Sequence, residues 1–398
     1  MFVFKFQSCY NTYRVKIQQW MCQKPLNRVI VKKHGEEKEL MENRPRAREL
    51  GIEIGIMPTG ESNSICDIPG LKVGHVTLMQ DDGKLTKGKG PIRTGVTAIV
   101  PADDISPDKK FPAALDVING FGKSVGTVQI NELGEIETPI LLTNTLNVGK
   151  VSQHLVEWMI EKYPDVSSVN PVVMECNDSY LNDIWGMHVS RKHVFEALNT
   201  AGKNISEGCV GAGTGMQSFG FKSGIGTASR KVNNYILGAI VLNNMGASGD
   251  LRVDGIPVKM LKKQSKEPPG SIIMIIGTDA PLTSGSLKRV ARRAGFGLAR
   301  TGGMASHGSG DIALAFSTVP AIESDVRVAE KYINEFFRAC IESVEEAIIN
   351  SLFRAYTVVG RDGNTAKAIP LDVLNDLSKA INNREDLQCQ RTNIVRRL

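Results

Sequence analysis

The chain has 398 residues, 41% hydrophobic and 23% charged, which is enough apolar material for a sizeable core and excludes fibrous or disordered classes. No run approaches the roughly 18 consecutive apolar residues of a membrane span, so a soluble protein is expected, with no membrane partner. The formal net charge of +6 is concentrated at the start: residues 1–40 carry eight Lys/Arg against three Glu, and the remainder balances 40 against 39, without the basic, aromatic-interleaved stripe of a nucleic-acid binder.

Residues 1–40 read as a basic extension, in one of three ways: an organelle-targeting leader, a frayed tail, or sequence upstream of the true start at Met41. The periodic sequence of the remainder, 41–398, reads as a single domain. From Gly51 onward short β-rich runs at 95–101, 139–143, 171–175, 235–242, 271–278 and 311–318 are separated by Gly, Pro, Asn and Asp. Helical stripes lie between them: Val148, Val151, Leu155 and Met159 mark one, and Leu287, Val290, Ala291 and Ala294 another. The longest helix is expected over 325–355, with Ile333, Phe336, Phe337, Cys340, Ile341, Val344 and Ile348 on its apolar face and Lys331, Glu335, Glu342 and Glu346 mostly off it. Strands apolar on both faces with helices outside predict a layered α/β architecture. The seven cysteines are odd in number and scattered, without a CxxC pair, which favours a reducing compartment such as the cytoplasm. Neither they nor the six dispersed histidines suggest a metal site, and no metal is assigned.

One solvated linker interrupts the folded part, LKKQSKEPPG at 261–270, and it leads straight into the apolar run SIIMIIGT. Ser271 therefore opens a buried strand, directly after a glycine that permits unusual backbone angles and close approach of the hydroxyl to the preceding carbonyl. That geometry suits an N-to-O acyl shift. Hydrolysis would leave Ser271 with a free α-amine of reference pKa about 7.7–8.0, so nucleophile and base would share one residue.

Further on, SHGSGDIALAFST gathers Ser306, His307, Ser309 and Asp311 at a strand entrance. Ser309 and Asp311 share strand parity and can face one cleft; His307 has the opposite parity and suits a packing or surface role. In VLNNMGA, Asn243 and Asn244 end an apolar strand, where a side-chain amide can donate to a developing oxyanion. The segment ECNDSYLND offers the phenol of Tyr180 to the same cleft, near Glu175, Asp178 and Asp183. The glycine-rich GCVGAGTGM lacks the Gly-Lys-Ser/Thr of a phosphate loop and any GxGxxG spacing, so close backbone packing explains it better.

These stretches, with RARELGI, CDIPGLKVGHVTL, ETPILLTNTLNVGKV, FKSGIGTASR and GTDAPLTSGSLKRVARRAGFGLARTGG, resemble the self-processing serine aminopeptidases of the DmpA type, which include L-aminopeptidase/D-amino-acid esterases and β-peptidyl aminopeptidases. The resemblance runs from about Arg46 to Leu377. It implies a four-layer α/β/β/α sandwich like that of N-terminal-nucleophile hydrolases, self-cleavage into 41–270 and 271–398, a homotetramer, and no metal or organic cofactor. It implies that Ser271 is the nucleophile, Ser309 and Asp311 its hydroxyl and acidic partners, Asn244 the oxyanion donor and Tyr180 an active-site tyrosine. The implied reaction releases N-terminal residues from short peptides, amino-acid amides or esters through an acyl-serine.

Two departures stand out. Lys123, in NGFGK, occupies a place where the family commonly carries Glu, so recognition of the substrate amine must fall to another acid, with Glu132, Glu135 and Glu137 as nearby candidates. Pro268 and Pro269 precede the scissile glycine and restrict the approach to it. Competing readings are an acyltransferase of related architecture, such as ornithine acetyltransferase, which Ser271 in place of Thr argues against, and a non-catalytic binding protein on the same scaffold.

Overall fold

The computed structural model describes residues 44–258, 270–319 and 332–395, with side chains as far as Arg384. The basic extension at 1–40, the linker at 261–269 and positions 325–331 of the expected long helix lie outside the described residues.

In chain order the main strands are β1 (Lys72–Gln80), β2 (Ile92–Val100), β3 (Phe111–Gly120), β4 (Glu135–Ile136), β5 (Ile140–Asn144), β6 (Val172–Cys176), β7 (Ile225–Val232), β8 (Tyr235–Asn244), β9 (Ser271–Thr278) and β10 (Gly310–Ser317). They form a four-stranded sheet, β1-β2-β5-β6, and a six-stranded sheet, β4-β3-β10-β9-β8-β7. The helices are α1 (Thr127–Leu133), α2 (Val148–Lys162), α3 (Arg191–Asn199), α4 (Ser284–Arg300), α5 (Ile333–Phe353) and α6 (Leu371–Val395).

The alternation of side chains along β9 shows how the layers arise. Ile272, Met274 and Ile276 join a core with Val290 of α4 and Val344 and Ile348 of α5. Ile273 and Ile275 face the other way, into a core shared with Leu142 and Met174 of the four-stranded sheet. A third core lies between Leu141 and Val173 of that sheet and the stripe Val151, Leu155 and Met159 of α2. Three apolar seams separate four layers, helix, sheet, sheet and helix. Strands covered on both faces need apolar side chains of both parities, which is why β9 is an unbroken apolar run rather than an alternating one. Among the described residues no helix is long and apolar enough to cross a membrane.

The long helix departs from its expected polar face. Glu342 and Glu346 are 2% and 0% exposed, because Arg230, itself 0% exposed on β7, pairs with Glu342 Oε2 at 3.1 Å and Glu346 Oε2 at 2.7 Å. Arg48 adds a second cation on Glu346 at 3.0 Å, and the Ile56 and Met57 N–H groups donate to Glu342. Helical periodicity marked these acids as polar; it carried no sign of a buried arginine on a strand about 110 residues earlier.

Candidate active site

The site lies where β8 ends and β9 begins. Antiparallel register places Asn244 opposite Ser271, and parallel register places Gly310 beside it. Ser271 is 7% exposed, and the Gly310 N–H donates to its Oγ at 3.1 Å. Gly270 is required by crowding rather than by an unusual angle: it does not adopt positive φ, but a Cβ there would meet Met245 Cα at 2.7 Å and the Asn244 carbonyl oxygen at 2.8 Å.

Ser271 belongs to the sheet-facing parity of β9, with Ile273, and opens into a cavity of about 300 Å³ between the ends of the two sheets. Asn244 and Tyr180 line the same cavity. The Asn244 amide is fixed at both ends: its Oδ1 accepts from the Gln217 N–H at 3.0 Å, and its Nδ2 donates to the Asn177 carbonyl at 2.9 Å. One Nδ2 hydrogen remains for a ligand. Its neighbour Asn243 points the other way and donates to Ser351 Oγ of α5 at 2.9 Å, so strand parity selects between the two asparagines. Tyr180 is 39% exposed at the cavity wall.

Ser309 and Asp311 do share one side of β10, as their parity requires, but that side is not the cavity's. Asp311 stands beside Ile272, whose side chain faces the helices, and Ser309 lines a separate small recess with Met245, Gly246 and Met304. The pair is linked, Ser309 Oγ donating to Asp311 Oδ1 at 2.8 Å, and it flanks Gly310, the residue that contacts Ser271. Burial pushes the Asp311 carboxyl up to about 6, against the hydrogen bond from Ser309 that favours its ionised form. His307 is exposed, and its carbonyl accepts from Asn119 Nδ2 at 3.1 Å.

The three glutamates expected near the amine site are elsewhere. Glu135 and Glu137 are committed to Lys110, at 2.8 and 3.2 Å, and Glu137 also accepts from the Asn170 N–H. Glu132 is exposed on α1, and none of the three lines the cavity. The carboxylate that does is Glu175, 3% exposed at the end of β6. Its Oε1 accepts from the Lys123 N–H at 3.0 Å and its Oε2 from the Thr145 hydroxyl. The ECND segment contains Glu175 within the apolar strand VVMEC, and its place at the cavity depends on contact with the segment that follows β3 of the other sheet. Arg361, which also lines the cavity, is 181 residues from Tyr180 and had no local signal at all. Among the described residues no group of His, Cys, Asp and Glu is arranged to hold a metal ion.

Comparison with known proteins gives this geometry a context. The profile of peptidase family S58 matches residues 63–366. A β-peptidyl aminopeptidase of Sphingosinicella xenopeptidilytica is 39% identical over 371 residues, covering 84% of this chain and 91% of the relative. A solved protein of Pyrococcus horikoshii OT3 superposes with TM-score 0.80 at 50% identity, over 85% of this chain and 99% of that one. The L-aminopeptidase D-Ala-esterase/amidase of Ochrobactrum anthropi, described as a prototype of the serine aminopeptidases and a variant of the Ntn hydrolase fold, superposes with TM-score 0.77 at 34% identity, over 85% and 99%.

Proposed function

The chain belongs to peptidase family S58 and is an aminopeptidase with an Ntn-hydrolase type of fold, and from that premise we propose that it severs itself between Gly270 and Ser271 and then uses Ser271 against short peptides, β-peptides or amino-acid amides. The observation that carries the reading is the placement of Ser271: first residue of a buried strand, directly after the crowded Gly270, with its hydroxyl on the cavity side.

In the uncut chain, Ser271 Oγ attacks the Gly270 carbonyl. The C–O bond forms as the C–N bond breaks, giving a Gly270 ester on Oγ and freeing the Ser271 α-amine, and water then splits the ester into the Gly270 carboxylate and the Ser271 hydroxyl. That amine emerges next to β10, where Gly310 is the register partner of Ser271 and is flanked by Ser309 and Asp311. An ionised Asp311 steadies the Ser309 hydroxyl as a relay. In turnover, the amine takes the Oγ proton as Oγ adds to the substrate carbonyl, and the remaining Asn244 N–H faces the oxyanion, an interaction worth about 100-fold or more in rate in comparable sites. The leaving amine departs with the proton, and water then hydrolyses the acyl-Ser271. Glu175 receives the substrate ammonium, the role that its buried, neutrally held carboxylate suits better than any of the Lys110-bound acids. After that cut the domain 41–398 works as two pieces, 41–270 and 271–398, of one fold.

A serine-directed acylating probe tests the assignment. It should label the first residue of a 271–398 fragment, and Ser271→Ala should abolish labelling, cleavage and hydrolysis together. Hydrolysis surviving in Ser271→Ala would exclude the assigned nucleophile.

A further inference from the structure

The cavity holds more charge than one ammonium-binding carboxylate accounts for. Glu175 lies at its buried wall, and two cations, Lys123 and Arg361, line it as well. Arg361 is largely committed: its Nε donates to the Ser179 carbonyl at 2.7 Å and its Nη1 pairs with Asp362 at 2.9 Å. Lys123 is different. Its backbone N–H holds Glu175, while its exposed side chain lays the ammonium over the ring of Phe121, itself 59% exposed, 4.2 Å from the centroid, and among the described residues it forms no ion pair. The ring supports the cation on one side, removes some of its water, and leaves its other side open to the cavity.

We infer that Lys123 is a specificity-determining residue that pairs with a carboxylate on the substrate, so that the site prefers short peptides carrying both an ammonium and a carboxylate. The inference rests on the aminopeptidase reading of the cavity. One residue ties the two ends together: the Lys123 N–H orients the acid that takes the substrate ammonium, and the Lys123 side chain carries the opposite charge to the mouth. A ligand entering ammonium first meets Glu175 at the wall and Lys123 at the rim; entering reversed, it meets a like charge at each end. Two substrate groups offer the required chemistry, the C-terminal carboxylate of a dipeptide and the side chain of an acidic residue.

The test uses inert dipeptides in which the scissile amide is replaced by CH2–CH2, titrated calorimetrically onto the full chain. One arm compares an Ala-Ala isostere as free acid and as C-terminal amide. The other compares Asp-Ala with Asn-Ala isosteres, both as C-terminal amides. In at least one arm the carboxylate form should bind about tenfold tighter, a difference of about 1.4 kcal/mol. Lys123→Gln should bring that ratio to within about twofold, and Lys123→Glu should invert it, because the exposed position tolerates both residues. The arm that responds identifies the source of the carboxylate. Absence of any preference in the unmodified chain, or a preference that both variants retain, would overturn the inference. Loss of all hydrolysis with the Lys123-dependent preference intact would instead refute the proposed reaction and leave the charge recognition standing.

Discussion

Two regions of this molecule treat their buried acids differently. On the helix side of the six-stranded sheet, Glu342 and Glu346 meet Arg230 and Arg48, and Arg230 also donates to the carbonyls of Ser229 and Ile54 at 2.8 and 2.6 Å. Around Ser271, Glu175 is held only by a backbone N–H and a hydroxyl, and Asp311 by Ser309, with its second oxygen lacking a hydrogen-bond partner among the described residues. A carboxylate already paired with a cation has its charge answered within the fold. One held by neutral donors keeps an unanswered charge for a ligand, or for the amine that the proposed cleavage would release. Incomplete pairing, rather than burial, separates Glu175 and Asp311 from Glu342 and Glu346.

The comparison can be broken by exchanging the two kinds of behaviour. Arg230→Ala leaves two buried glutamates short of their cation and should cost about 3–5 kcal/mol of stability, read by denaturant unfolding, with kcat per folded molecule unchanged. If that variant lost activity without losing stability, the helix-side network would belong to the site. Glu175→Gln should do the reverse: near-normal stability and a kcat/KM lower by about 10- to 100-fold, mainly through KM, the size of a hydrogen bond to a charged group. An unchanged KM would remove Glu175 from ammonium recognition.

The smallest effect concerns Asp311. With its carboxyl raised to about 6 by burial, the folded, uncut chain binds its proton more tightly than the unfolded chain, whose aspartates titrate near 3.9. The sign follows directly: this group lowers stability as pH rises from about 4 to about 6, and its contribution is constant above that. Self-cleavage followed from a freshly unfolded and refolded chain should accelerate as pH passes about 6, where Asp311 ionises. Asp311→Asn should flatten that inflection and remove the loss of stability across the same interval. An identical pH profile in the variant would take Asp311 out of the cleavage step.

What the sequence disclosed follows the same division. β9 was readable to the residue, 271–278, because a strand buried on both faces is an unbroken apolar run bounded by glycine and a turn. The stripe of α2 was equally plain, its four apolar positions all buried. Ser271 and Asn244 each open or close such a strand, and the fold brings both to one cavity. Glu132, Glu135 and Glu137 lie closer to Lys123 in sequence than the cavity-lining Glu175, but proximity along the chain says nothing about which strand of the second sheet reaches the cavity. The side on which Ser309 and Asp311 stand was also hidden, since shared parity fixes that two residues face together but not which layer they face.

In the proposed mechanism, activity arises only after one peptide bond is cut. Mass spectrometry of the purified, active protein should show a fragment beginning at Ser271 and a companion ending at Gly270, both present in proportion to activity. Full activity in a preparation containing only the continuous chain would contradict it.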